Sequence, residues 1–445
     1  FTAEHLESLK KMTKESWQVP YSTRVDSVTN FQYTFAEEDD MIVEDLVMNT
    51  KNLTAAALAK IKNIAINVPL LVNKLISEQG HVSVVNVTVQ LPGINPLTEV
   101  PEVAAFVRDI KAKYLAENPG TEVHLSGMVM MNTAFTEASM QDSSTLVPLM
   151  FLIVIIVIGV LLRTITGTIA TVLIIIMSIA TTMGLAGWLG FYITGPSSSA
   201  PTMILTLAVA DCIHILTSMF YEMRQGADKH TAIKKSLKLN FQPIFLTSLT
   251  TALGFLTMNF SDSPPFHDLG NMVAIGVMLA FVFSVTVFPA LLSVLPVRVK
   301  KQKEGKADIM SKLADFVIAK RKVLLPLTSV VIISASLFVP NNELNDDYVK
   351  YFDESVPFRA STDFMQKHLS GMTLLDISVQ TGMPSGINDP NYLRKVSGFS
   401  DWLRAQPEID HVNTITDTLK RLNKNMHADD PAWYKLPESQ EMSAQ

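Results

Sequence analysis

Residues 201–221 read PTMILTLAVADCIHILTSMFY, an apolar stretch with a single acid, Asp211, near its middle. A hydrocarbon core of about 30 Å takes roughly 20 helical residues to cross, so this length is that of a membrane span. Five further stretches of the same kind are predicted near 146–162, 166–193, 243–260, 269–296 and 323–340. The first of these, LVPLMFLIVIIVIGVLL, carries no charge. A buried helix of a large soluble core needs no such length six times over. The fold class expected is therefore a membrane α-helical bundle with six visible transmembrane helices.

The composition asks for something besides that bundle. At 48% hydrophobic and 18% charged residues the chain is too apolar for most soluble enzymes, yet mild for a pure bundle, so part of it is expected in water. Its 36 Lys and Arg against 42 Asp and Glu give no electrostatic argument for nucleic acid, which is not an expected partner. One cysteine, Cys212, excludes a disulfide within these residues and any multi-cysteine zinc site. Phe1 is followed by no basic leader, and the natural chain is expected to start earlier.

Basic connections are retained on the cytoplasmic side of a membrane. Arg163 follows the first span; Arg224, Lys229, Lys234, Lys235 and Lys238 lie between the third and fourth; a longer run from Arg298 to Lys322 precedes the last. The alternate connections, GPSSSA at 195–200 and SDSPPFHD at 261–268, hold no Lys or Arg. Residues 1–145 and 341–445 are thus expected outside the cytoplasm, on one face. An anionic-lipid or nucleic-acid patch at 298–306 is the competing reading of the basic run.

The outer segments read as folded α+β domains. Helical spacing covers 3–16, then RVDSVTNF at 24–31 and HVSVVNVTVQL at 81–91 alternate like strands, 101–118 is an amphipathic helix, and TEVHLSG at 121–127 is a further strand. Strand, helix, strand is a βαβ unit, and two such units make a ferredoxin-like fold. A repeat is expected as well: PYSTRVDSVTN at 20–30 aligns without a gap with PEIDHVNTITD at 407–417. Each follows an amphipathic helix, 3–16 or 391–405, and precedes an acidic pair, Asp39-Asp40 or Asp429-Asp430. On that reading the architecture is internally duplicated, and the sequence is expected to be incomplete at both ends.

An outer domain, a helix block, one more helix and a second outer domain resemble the resistance-nodulation-division (RND) superfamily. The lipid-exporting branch, of the hopanoid and mycobacterial large membrane protein (MMPL) type, is the more similar. Its local signals are DSVTN at 26–30, GMVMMNTAFTEASMQDSSTLVPL at 127–149, LAVADCIHIL at 207–216 and FPALLSVLP at 288–296. The resemblance implies a first porter domain over 1–145, a sterol-sensing-like block of five helices over 146–296 and a cytoplasmic linker over 297–322. It implies a sixth helix over 323–340 and the beginning of a second porter domain over 341–445. The family's helix one and helices eight to twelve would lie outside the sequence. An aromatic usually follows the membrane acid in this branch, whereas here Cys212 does.

An acid at the middle of a span costs roughly 2.5–3.5 kcal/mol on insertion scales and is seldom kept without use. His214, three residues on, shares the helix face of Asp211, and the pair is the candidate proton relay. Low dielectric disfavours the ionised form of any carboxyl, which suits such a role. The family uses the equivalent acid to couple inward proton flow to movement of its outer domains, with partners on helix ten. A structural hydrogen bond between helices is the competing account. Thr247 and Thr251, one turn apart on the next span, are candidates for lining the relay, and packing accounts for the other hydroxyls there. Met128, Met130 and Met131 cluster ahead of the first span, where core filling is the simpler reading.

No Walker A loop, G-x-S-x-G or H-E-x-x-H occurs, and the remaining histidines show no metal spacing. No enzyme, no metal and no cofactor is expected, with protons as the coupling ion. The implied function is a proton-motive-force-driven permease of the inner membrane moving hydrophobic or lipid-like molecules. A homo-oligomer and a periplasmic accessory protein are candidate partners. A lipid or sterol sensor of the Patched type is the alternative. An intramembrane aspartyl protease needs a second membrane acid, and Asp211 is the only acid in the six spans. A protein-translocation partner is a variant of the transporter reading.

Overall fold

A computed structural model describes residues 1–37, 40–51, 53–162, 164–297, 309–343 and 346–445. Asp39, Arg163 and the basic residues at 298–306 lie outside that set. The chain divides into two compact units, one of residues 1–134 with 346–445 and one of residues 135–345.

In the first unit, α1 (Ala3–Ser16) starts where the Thr2 hydroxyl accepts the His5 amide hydrogen, and it turns Leu6, Leu9, Thr13 and Ser16 inward at helical spacing. Strand β1 (Ser22–Asp26) is shorter than the alternation at 24–31 suggests. DSVTN leaves the strand because Asn30 closes a turn: its side-chain oxygen accepts from the Ser27 amide at 2.7 Å, and its amide donates to the Val25 carbonyl at 2.7 Å. Beneath it Thr13, Ser27 and Thr29 join hydroxyl to hydroxyl, at 2.9 and 2.7 Å. A hairpin that the sequence reading missed follows, β2 (Gln32–Glu37) with β3 (Asp40–Asp45). Then come α2 (Ala55–Asn67), capped by Thr54, β4 (Asn86–Val89), paired antiparallel with β1 so that Val25 faces Val87, and α3 (Pro96–Glu117). Leu6, Val28, Leu46, Ile61, Leu71 and Ile76 form the core between these elements.

The second unit is helical. It takes in most of α4 (Met128–Leu162), then α5 (Ile165–Leu189), α6 (Ala200–Arg224), α7 (Lys229–Leu256), α8 (Pro264–Val285), α9 (Val287–Val294) and α10 (Ile309–Ser336). Six stretches among the described residues are long and apolar enough to cross a membrane. Helix α4 begins well before the span expected at 146–162, and 128–147 contains no Gly or Pro to stop it. The span expected as one helix over 269–296 is broken at Thr286. Pro289 explains the break, since it has no N–H to give and its ring opposes the carbonyl four residues back.

Helices α5, α6, α7 and α8 pack on one another, and α4 lays Met150, Phe151 and Val154 against Ile175, Leu205 and Ala208. Two glycines set the spacing. A β-carbon at Gly276 of α8 would run into Ile204 of α6 and sit 3.1 Å from the Thr182 hydroxyl of α5. At Gly270 it would lie 2.5 Å from the backbone oxygen of Phe255.

The remainder of the first unit holds α11 (Pro357–His368), α12 (Pro390–Arg404), α13 (Ile415–Met426) and the short α14 (Gln440–Ala444). It joins 1–134 through Thr34 to Asn425 at 2.7 Å, the Ala36 amide to Asp429 at 2.9 Å, Ser126 to Thr362 at 2.7 Å, and His411 Nδ1, which donates to the Val72 carbonyl at 3.1 Å. These contacts explain why TEVHLSG at 121–127 is not the strand expected. His124 stacks on Phe364 at 4.0 Å between ring centroids and Ser126 bonds Thr362, so side chains on α11 hold the segment and no ladder does. The described strands form two two-stranded sheets, and the alternation at 81–91 survives as strand only in β4. The aligned copies at 20–30 and 407–417 also differ: the first contains β1, whereas 411–414 pairs with no strand and Thr414 caps α13.

Gly270→Ala is expected to lower the stability of the membrane unit by about 1–3 kcal/mol, because a backbone oxygen cannot rotate away from the added methyl. A thermal unfolding midpoint of the detergent-purified chain equal to that of the unaltered one would refute the close approach of α7 and α8. A second prediction concerns His411, whose Nε2 is buried without a partner among the described residues. Burial first, then the charge of Lys74, hold its pKa below the ordinary value of 6.5. At pH above that value the ring is neutral folded or unfolded, so the full stability is present. As pH falls below it, the unfolded chain takes up a proton that the folded one resists, and stability declines through the folded pKa. Hydrogen exchange of 69–73 and 409–414, corrected for intrinsic rates, should show this loss, and His411→Asn should flatten it while keeping the bond to Val72.

Candidate functional site

The buried residues of α6 recur at three and four, through Ile204, Ala208, Asp211, Ile215 and Met219. Asp211 thus sits in the inward stripe, 7% exposed, although it is the one charged residue of its span. Its neighbour from α7 is Ser248, 3% exposed, whose hydroxyl donates to Asp211 Oδ2 at 3.5 Å, the long limit of a hydrogen bond. No Lys, Arg or His pairs with Asp211 among the described residues. A single weak donor leaves most of the acceptor capacity of this carboxyl unused.

The other three candidates are placed differently. His214 lies on the exposed side of α6, in one stripe with Thr206, Ala210 and Thr217, and makes no hydrogen bond to Asp211. Thr247 is exposed on α7, and its hydroxyl donates to the Pro243 and Ile244 carbonyls of its own helix at 3.0 and 2.9 Å. Thr251 is half-buried, with no side-chain hydrogen bond among the described residues. The structure therefore joins Asp211 to Ser248 rather than to any of the three.

Ser248 was open to inference from the sequence. Ile244, Ser248 and Ala252 form a four-residue repeat with two small members, the pattern by which membrane helices approach closely, and all three are buried. Elsewhere the buried hydroxyls of the bundle are satisfied by backbone. Thr171, Ser178 and Thr182 donate to the carbonyls four residues back at 2.7–2.9 Å, and Ser236 reaches across from α7 to the Ile215 carbonyl at 2.6 Å. Among these side chains only Ser248 is turned to an acid.

The chain has counterparts among known proteins. The chain is 24% identical over 289 residues to the apo-petrobactin exporter of Bacillus anthracis, covering 58% of this chain and 39% of that protein. It is 24% identical over 185 residues to the siderophore exporter MmpL5 of Mycobacterium tuberculosis, covering 40% of this chain and 19% of that protein. A shorter match, 32% over 111 residues, links it to the sulfolipid-1 exporter MmpL8 of the same species, covering 25% of this chain and 10% of that protein. The chain thus spans well under half the length of these relatives. The sequence profile of the MMPL family matches residues 3–320, which takes in α1 to α9 and the first turns of α10. That match runs over most of the chain, and it places this multi-pass membrane protein in the MMPL family.

Proposed function

We propose that the chain is part of a proton-driven exporter of hydrophobic or amphiphilic molecules, in which Asp211 takes up and releases the coupling proton. The observation that carries this reading is Asp211 itself: a buried acid within a membrane span, met by one distant hydroxyl and by no cation among the described residues. An acid kept only for packing is expected to have its acceptor capacity filled. Family membership supports the transport half of the proposal, since the relatives named above are exporters of siderophores and a sulfolipid.

His214 serves in this scheme as a proton donor or acceptor on the outer side of α6, and Thr247 and Thr251 line its approach. The membrane is the inner, or plasma, membrane, with both flanking segments outside the cytoplasm. Two features support that orientation. Arg224, Lys229, Lys234, Lys235 and Lys238 gather at the α6–α7 connection, and the 195–200 and 261–268 connections lack Lys and Arg. Six crossings would return the chain to the face it left, in keeping with the hydrogen bonds from 1–134 to 346–445. A duplicated, ferredoxin-like plan for the outer segments belongs to the same proposal and draws on the β1–β4 pair and its flanking helices α1 and α3.

The test is reconstitution of the full-length protein in vesicles under an imposed pH gradient, with proton flux and movement of a fluorescent lipid both recorded. Asp211→Asn keeps size and most hydrogen bonding, and both signals are expected to fall to the level of protein-free vesicles. Unchanged flux in that variant would sink the proton role and turn attention to a lipid-sensing function. His214→Ala separates a relay that needs the imidazole from one that does not. For stability, Ser248→Ala should cost at most about 1 kcal/mol, given its long bond. Thr247→Ala should be silent, since its hydroxyl bonds only its own helix; a larger loss at Thr247 than at Ser248 would reverse the placement described above.

A further inference from the structure

Asp417, Arg421 and Lys424 stand one turn apart on a single face of α13, and that face lines a cavity of about 340 Å³ in the first unit. Across the cavity α2 and the turn after it supply an apolar wall of Ile64, Val68 and Leu70. The charges at the polar end are unevenly paired. The Asp417 carboxylate is held by Arg404 in a short ion pair, and Lys424 lies 3.7 Å from Asp429. Arg421 has no carboxylate: its guanidinium rests over the Phe31 ring, 5.2 Å from the centroid, and its Nε and Nη1 are buried with no hydrogen-bond partner among the described residues.

An unfilled guanidinium fork is an uncommon thing to bury. Arginine carries five N–H donors in a fixed plane, and leaving buried donors unmade costs free energy that a protein of this size seldom carries without use. Burial already presses the pKa of Arg421 below the ordinary arginine range. Nη2 is not among the enclosed atoms and has no hydrogen bond among the described residues, so the chemistry that completes the group is a planar or tetrahedral oxyanion accepting from Nη2 and, in parallel, from Nη1 or Nε beside it. Asp417 does not compete for the fork, because Arg404 holds it. An apolar wall a few residues away adds a place for hydrocarbon, and the volume lies within the range of small-molecule sites.

We infer that this cavity binds the oxyanion head of an amphiphile, a carboxylate or phosphate ester on a hydrocarbon body, with Arg421 as its anchor and Ile64, Val68 and Leu70 against its chain. The inference deepens the exporter reading by naming the chemical class of the cargo, and it rests on that reading only for calling the ligand cargo. Lys424 adds positive field without being the anchor, since Asp429 is already beside it.

The test is equilibrium binding of dansyl-undecanoate to the full chain in nanodiscs of neutral lipid near neutral pH, with no proton gradient. The acid is expected to bind and its uncharged methyl ester to bind at least about tenfold more weakly, a difference of about 1.4 kcal/mol. R421M should weaken the acid by a similar factor and leave the ester unchanged, and R421K should fall between, since it keeps the charge and loses the fork. Equal affinity for acid and ester, a comparison that needs no variant, would overturn the site even if R421M fails to fold. Undiminished binding of the acid to folded R421M would overturn the anchor. Displacement of the probe by inorganic phosphate at concentrations as low as the probe's own would overturn the amphiphile and leave a free oxyanion site. Because the readout is binding alone, failure here removes the cavity's role and leaves the outcome of the vesicle experiment as it stands.

Discussion

In hydrocarbon a backbone or side-chain polar group that lacks a partner has no water to fall back on, and the membrane unit is arranged around that constraint. Each span is helical, so its backbone is satisfied from within. The hydroxyls of Thr171, Ser178 and Thr182 are returned to their own helix, and Ser236 ties α7 to a carbonyl of α6. Once those groups are quiet, helices can meet by shape alone. Small residues decide how near they come: Gly276 admits Ile204 and Thr182, and Gly270 admits the backbone at Phe255. Asp211 is the exception within this scheme. Its environment is meaningful because the surrounding polar groups are otherwise accounted for.

The membrane part was legible in the sequence because its signal is composition over length. Every predicted span overlaps a helical stretch long and apolar enough to cross a membrane, the fifth one broken at Thr286, and the inward stripe of α6 can be read from spacing alone. Direction is harder to read than spacing from a local signal. Asp211 and His214 are three apart, a spacing that makes them neighbours along a helix, yet the boundary between buried and exposed sides passes between them. Thr247 and Thr251 drew notice as a pair of hydroxyls, whereas the residue turned inward is Ser248, one position on from Thr247.

The water-exposed part was harder for a different reason. Alternation marks a strand only if a partner edge is available, and TEVHLSG at 121–127 finds α11 instead of a strand. DSVTN alternates like a strand but is a turn, since Asn30 bonds back to Ser27 and Val25. The β2–β3 hairpin was missed because its polar run at 37–40 reads as loop, and the pairing of Tyr33 with Glu44 leaves little apolar signature. Arg421 lies beyond sequence reasoning altogether: a lone arginine on a polar helix is ordinarily solvated, and only the fold shows that two of its donors are enclosed.

The meeting of Asp211 with Ser248 also bears on how the protein is made. Of the six spans, those containing α6 and α7 are the least apolar, and they are consecutive. A ribosome feeding α6 alone into the bilayer would present an acid to lipid, at the insertion cost of a charged residue. The next helix to emerge brings the hydroxyl that faces that acid and the serine that bonds α6 at Ile215. Pairing with α7 thus gives the polar groups of α6 partners that lipid does not offer, and insertion of the two as a hairpin would spare Asp211 that exposure.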